Sequence, residues 1–142
     1  MRPEFGLVYA IKAEITDLSA TTYAFTAAKT MYGGKRIASG DTIFIFASEN
    51  EGGPGLIARG TVTSATAVER TAGRARQTPR VSITVRRTAV AKRRVGRSDL
   101  KPFSNWHDGR PETELNFKLY RQATNKIIGI SAETASFLGA FF

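Results

Sequence analysis

Residues 40–62 read GDTIFIFASENEGGPGLIARGTV, and this stretch decides the fold. Gly40-Asp41 is a turn signal that launches a strand over residues 42–48. Along that strand Ile43 and Ile45 point one way while Phe44 and Phe46 point the other, so both faces are apolar. Such a strand must be covered on both sides, as in a barrel wall carrying an outer helix. The run from Asn50 to Gly55 is a glycine-rich connection, and residues 56–68 (LIARGTVTSATAV) form a second long strand. Within it Gly60 marks a bulge or a close approach of backbone.

Working outward, residues 5–15 (FGLVYAIKAEI) read as a first strand and residues 16–20 as a turn. Residues 21–30 fit two patterns: their alanines suit a short helix, whereas Tyr23 and Phe25 at period two suit a strand. The Tyr32-Gly33-Gly34-Lys35-Arg36 segment breaks whatever precedes it. Residues 71–78 form a polar, basic loop. In residues 80–90 Val81, Ile83 and Val85 alternate with polar neighbours until Arg86-Arg87, where the slip in alternation indicates a bulge. Residues 98–110 are irregular. Residues 115–122 (LNFKLYRQ) alternate Leu115, Phe117 and Leu119 against polar positions, which predicts a strand. Ser131 reads as a helix cap, with a terminal helix over residues 133–142 and Ala135, Leu138 and Phe142 on one stripe. Neither an internal repeat nor a linker divides the chain, so residues 1–142 are expected to form one domain.

Several function classes are disfavoured early. The chain has no cysteine, which removes disulfides, thiol nucleophiles and thiolate zinc sites. No apolar run approaches the ~20 residues of a membrane-spanning helix. Met1-Arg2-Pro3-Glu4-Phe5 lacks the apolar core of a signal peptide, so a cytoplasmic location is expected, with no membrane partner. His107 is the single histidine. It therefore offers no two-histidine metal site, and any nucleophilic relay would rest on it alone. Gly52-Gly53-Pro54-Gly55 lacks the spacing of a phosphate loop, and its proline removes an amide donor. No cofactor is expected.

Charge is more informative. The chain carries 21 Lys and Arg against 12 acids, a net charge of +9, and a pI near 10.4. Between Arg70 and Arg97 stand Arg70, Arg74, Arg76, Arg80, Arg86, Arg87, Lys92, Arg93, Arg94 and Arg97, with no acid among them. That window accounts for the whole excess, and it is almost entirely arginine, whose planar fork matches phosphate. It suits an anionic partner, most naturally nucleic acid, or else a solvated loop. Trp106 lies in a polar run (Ser104-Asn105-Trp106-His107-Asp108), where it either stacks on a base or pins its loop to the body.

Residues 31–62 also carry a family likeness. Gly33-Gly34, Arg36-Ile37, the Gly40-Asp41 turn, the strand ending in Phe46 and Ser48-Glu49-Asn50, and the glycine-rich turn into the strand with Gly60 and Val62 together resemble the PUA-like superfamily. The likeness is to its EVE-type members, which are related to ASCH and YTH domains. The run of residues 117–142 is similar to the final strand and helix of such domains. The resemblance implies a mainly β, α+β fold: a pseudo-barrel of about five or six strands with short flanking helices, a C-terminal helix and a cleft at one end. In EVE and YTH relatives that cleft takes a flipped or single-stranded base, often a modified one.

The expectation is thus a noncatalytic module binding RNA or DNA. Arg86, Arg87, Arg93, Arg94 and Arg97 would contact phosphates. Trp106 and Tyr32 would line a base-sized cleft, with Lys35, Ser48 and Asn50 as further contacts. The rivals are a weak ribonuclease using His107 with a basic neighbour, and a protein-interaction subunit whose basic strand docks an acidic partner or pairs as a homodimer.

Overall fold

The computed structural model describes residues 8–142, so the start of the first strand and the reading of the N-terminal leader lie outside the described residues. Six strands close into a barrel: β1 (Val8–Ala13), β2 (Thr22–Met31), β3 (Thr42–Ala47), β4 (Gly55–Ala67), β5 (Arg80–Val90) and β6 (Lys126–Ile130). Their order around the wall is β1-β3-β4-β5-β2-β6, and β6 pairs back onto β1. β1 runs parallel to β3 and β2 parallel to β6, while the remaining neighbours are antiparallel. Short helices α1 (Arg97–Leu100) and α2 (Pro111–Leu115) and the C-terminal α3 (Ala132–Gly139) complete the expected α+β, mainly β pseudo-barrel.

The two apolar faces of β3 each find their own core. Ile43 and Ile45 join Tyr9, Ile11, Phe25, Val62, Ile83 and Ile127. Phe44 and Phe46, one residue out of phase, pack with Leu100, Leu115, Leu119, Ile128 and Leu138 beneath the helices. All four β3 side chains are buried. Each such burial contributes roughly 1.5–3 kcal/mol, which is why the doubly apolar strand requires the outer helical layer. A charge at Phe46 would unseat that layer, and a charge at Ile45 the barrel itself.

The ambiguous residues 21–30 are strand. Tyr23 and Phe25 are buried at period two, and the alanines serve a bulge: the register against β5 shifts between Phe25 and Ala28, where Ala27 has φ +50°. Gly60 meets both readings made of it. The β4–β5 register shifts beside it, and a Cβ there would lie 2.4 Å from a Val85 methyl and 2.7 Å from the Arg86 carbonyl oxygen. The partner slip on β5 falls just past Arg86-Arg87, where Arg87 and Ala89 face consecutive residues of β4.

One element must be corrected. Residues 115–122 are not a strand but the end of α2 and a π-type turn, Asn116–Tyr120, marked by the bond from the Arg121 amide to the Asn116 carbonyl at 2.9 Å. Pro111 opens α2 and acids stand in its first turn, both helix-start features. Leu115 and Leu119, four apart, are the buried pair, whereas Phe117 is only half-buried. A five-residue Leu-x-Phe-x-Leu pattern fits both periods, and the buried pair selects the helical one. The sixth strand lies further on, in Lys126–Ile130, inside the run that the family likeness had assigned to the last strand and helix. Ser131 does cap α3, its Oγ accepting from the Thr134 amide at 3.1 Å.

Candidate nucleic-acid interface

The β2 strand ends at Met31, and the chain turns through Tyr32 and Gly33, both at positive φ (+52° and +82°), into the 3-10 turn Gly34–Arg36. A left-handed Tyr is strained, so its surroundings must hold it. β6 does so: the Gly129 amide donates to the Tyr32 carbonyl at 3.2 Å. A Cβ at Gly129 would come within 2.5 Å of that oxygen, so only glycine allows the approach. The result is an exposed Tyr32, 43% accessible, beside β6.

Opposite it, the 105–110 loop presents Trp106. The Asn105 carboxamide oxygen accepts from the His107 amide, and the Asp108 carboxylate accepts from the Arg110 amide and the Thr113 hydroxyl, both at 2.9 Å. These bonds, the Arg110 amide first, hold the Asp108 carboxyl below its ordinary range. Trp106 touches Phe117 edge-on, with ring centroids 5.1 Å apart, and remains 47% accessible. It is neither a buried anchor nor a free side chain.

Tyr32 and Trp106 line one open cleft of about 590 Å³, together with Arg36, Arg110, Thr113, Glu114, Lys118 and the backbone around Gly129 and Ser131. Its floor is a saturated ion pair. Lys118 donates to Glu114 at 2.9 Å and to the Gly129 carbonyl at 2.8 Å, and its ammonium lies 5.0 Å from the Tyr32 ring centroid. Glu114 also accepts from the Ser131 and Thr134 hydroxyls, each at 2.7 Å, and from the Ser131 amide at 2.9 Å. Burial alone would raise the Glu114 pKa, but these bonds outweigh it and hold the carboxyl below its usual range. The cleft therefore offers two aromatic faces over a fixed cation and fixed hydrogen-bonding groups, an arrangement suited to a flat, polar-edged ring.

The other expected contacts lie elsewhere. Ser48 and Asn50 do not line this cleft. Ser48 is buried and its hydroxyl has no hydrogen-bond partner among the described residues, and Asn50 accepts from the Arg97 guanidinium. That corner also holds Glu49, which accepts from the Arg97 amide at 2.7 Å and from the Tyr120 hydroxyl at 3.0 Å. Burial, then the Glu49 charge, drives the Tyr120 pKa well above its ordinary value. Lys12 is buried beside it, with Nζ 3.2 Å from the Gln122 carbonyl and 4.8 Å from the Tyr120 ring centroid. Burial, then the Arg97 charge, lowers the Lys12 pKa against the pull of Glu49 and Glu51.

Of the arginines, Arg87 donates to the Ser19 and Ala20 carbonyls at 3.2 and 3.0 Å. Arg93 donates to the Ala140 carbonyl at 2.7 Å and stacks 4.6 Å over Phe141. Arg86 and Arg94 are exposed on the surface. Lys35 lines a second, basic cleft on the other side of its turn. The exposed His107 belongs to the 3-10 turn Trp106–Asp108. Arg36, Arg110, Glu114, Lys118 and Gly129 were not anticipated. The signal was present: Glu114 and Lys118 are spaced i, i+4, a pair that becomes visible once the segment is read as helical.

No protein-family model matches the chain, and no curated protein matches it. Solved structures do. The human THYN1 protein, determined in complex with DNA containing 5-methylcytosine, superposes with a TM-score of 0.66 at 16% identity, over 95% of this chain and 97% of that one. The DUF55 domain of human thymocyte nuclear protein 1 gives 0.63 at 15% identity, over 93% and 96%. The ASCH protein of Zymomonas mobilis gives 0.52 at 11% identity, over 94% and 96%. Shared over nearly the whole length of each chain, this architecture is a common fold, the pseudo-barrel that the resemblance to PUA-like, EVE-type domains implied.

Proposed function

We propose that this chain is a noncatalytic nucleic-acid-binding module that receives a single base, flipped or single-stranded, in the cleft between Tyr32 and Trp106. The observation that carries this reading is that two half-exposed aromatic rings, separated by some seventy residues in sequence, line one cleft. An exposed ring that could bury itself but does not is a stacking surface, and base stacking is worth ~1–3 kcal/mol. The similar fold of a human protein that holds DNA containing 5-methylcytosine supports it, and makes 5-methylcytosine the first base to test.

The noncatalytic part rests on the state of the ionisable groups. A general base needs a pKa near the working pH, whereas Glu114 is held below the ordinary carboxylate range. Trp106 is the only tryptophan, so its fluorescence reports directly on the cleft. Titration with short single strands carrying 5-methylcytosine should quench it. Trp106→Ala should weaken binding by about 1–3 kcal/mol while leaving the melting temperature nearly unchanged. An unquenched Trp106 with normal binding would remove the base from this cleft, and strand cleavage abolished by His107→Ala would replace the module with a nuclease.

A further inference from the structure

Across the 3-10 turn from the aromatic cleft lies a second depression of about 540 Å³, between the loop of residues 68–79 and the end of β2. Lys29, Lys35, Arg70, Arg74, Arg76 and Arg80 line it, against one carboxylate, Glu69. We propose that this basic cleft holds the phosphate backbone of the same strand whose base enters between Tyr32 and Trp106, with the Gly34–Arg36 turn as the saddle between them. The inference rests on the base-binding reading for its register, but not for its charge.

Three observations support it. The first is that four of these six cations, Lys29, Lys35, Arg74 and Arg76, make no side-chain hydrogen bond or ion pair among the described residues. Arg87, Arg93 and Arg97 are fastened to carbonyls and a carboxamide of their own chain, whereas none of the six is ion-paired among the described residues. Only Arg70 and Arg80 of the six donate to the protein, to the Ala75 and Ala27 carbonyls. Uncompensated like charges gathered in one concavity repel one another, and an anion relieves that repulsion. The second is that the loop is built. Gln77 accepts from the Thr71 amide at 2.8 Å and donates to its carbonyl at 2.7 Å. The Pro79 carbonyl accepts from both the amide and the hydroxyl of Thr30 at the end of β2. Those clamps fix the loop that carries the arginines beside the end of β2. The third is continuity. Lys35 lines the basic cleft and Arg36, the next residue, lines the aromatic one, so consecutive residues mark the handover from phosphate to base. Arginine forks suit phosphate oxygens.

The test compares a ligand that fills only the aromatic cleft with one long enough to reach both. Wild type and the Lys35→Ala/Arg74→Ala/Arg76→Ala variant are titrated with 5-methyl-dCMP, followed by Trp106 quenching. Each is also titrated with a labelled single-stranded DNA ten-mer carrying one 5-methylcytosine, followed by anisotropy. The variant should bind the mononucleotide like wild type and the ten-mer on the order of tenfold or more weakly. Its log–log salt slope should be shallower by about 2, three contacts at roughly 0.7 each. The Arg74→Lys/Arg76→Lys variant, which keeps the charge and guards against a folding defect, should retain most of the ten-mer affinity. Unchanged ten-mer binding and slope in the triple variant overturns the inference and leaves the base cleft intact. Ten-mer binding lost in the triple variant, with Trp106 never quenched in wild type, supports the basic cleft while removing the base from the aromatic one. Competition by poly-glutamate as effective as by the ten-mer would overturn the inference in favour of an acidic polypeptide.

Discussion

At the Val8 end of β1, Tyr32, Trp106, Glu114 and Lys118 surround an open cleft. At the Lys12 end, Tyr120, Glu49, Arg97 and Lys12 bring nearly the same side-chain types together; there Glu49 accepts from the Tyr120 hydroxyl and the Arg97 amide, and Lys12 donates to the Gln122 carbonyl. Tyr120 lies edge-on to Phe46, its ring centroid 6.3 Å away, with its hydroxyl on Glu49. Tyr32, by contrast, projects its ring outward from a strained backbone. The difference lies in what remains unsatisfied. The Lys12 end buries its lysine and hydrogen-bonds Glu49, and serves as a polar plug. The cleft resolves its ion pair internally, yet leaves two large apolar faces in water, a cost that a stacked ligand would remove.

The sharpest way to break this contrast is to strike the backbone contact that holds Tyr32 out. Gly129→Ala would place a methyl 2.5 Å from the Tyr32 carbonyl, against backbone that cannot rotate away. The expected loss is about 3 kcal/mol in denaturant unfolding, at the upper end of overpacking costs, together with loss of Trp106 quenching by nucleotide. A variant that keeps both stability and binding would show that β6 does not set the position of Tyr32.

Next in size is the pH response, in which stability rises with pH at both ends but for opposite reasons: the fold favours the Glu114 charge and disfavours the Lys12 charge. The Glu114 pKa is lowered in the fold from an ordinary 4.5. Its contribution is therefore fully present above that value and is lost as pH falls through the lower, folded one. Glu114→Gln should cost about 1–2 kcal/mol near pH 7, and the gap from wild type should narrow on acidification below about pH 4.5. Lys12 is also lowered, from 10.5, but for a lysine this means that the fold disfavours its charge. Stability should rise as pH climbs from the folded pKa toward 10.5, and Lys12→Met should flatten that alkaline limb. Urea unfolding midpoints across pH measure both, and parallel curves for wild type and Glu114→Gln below pH 4.5 would contradict the first.

The same contrast explains what was legible in the sequence. The barrel was, because β3 announces its two faces in four residues, Ile43 to Phe46, and the glycine turns on either side fix its ends. Trp106 was legible as an aromatic stranded in a polar loop, and Tyr32 only through its place in the family likeness. The segment of residues 115–122 was not, since Leu115, Phe117 and Leu119 satisfy a period of two as well as Leu115 and Leu119 satisfy a helix. That misreading hid Glu114 and Lys118, whose pairing exists only at helical spacing. The arginines were legible as charge but not as role. Nothing in the spelling of Arg93 or Arg97 says that a C-terminal carbonyl or Asn50 will claim the guanidinium, because those partners lie 47 residues away.

Arg97 therefore provides the smallest effect and the finest discrimination. Read from the sequence, it is a phosphate contact; in the fold, its guanidinium is bonded to Asn50 and its amide to Glu49. Arg97→Ala keeps the amide bond and loses only an exposed side-chain bond, worth about 0.5–1 kcal/mol. It also removes a cation whose charge disfavours the buried Lys12 ammonium, and that relief offsets part of the loss. The net change in stability should be below about 0.5 kcal/mol, within the usual range for surface substitutions. The salt slope for the ten-mer should match wild type, because a guanidinium already held by the protein releases no counterion when DNA binds. A slope shallower by about 0.7 would mean that one phosphate sits on Arg97 after all. The Lys12 end would then belong to the interface, and the division between an open cleft and a closed plug would fail.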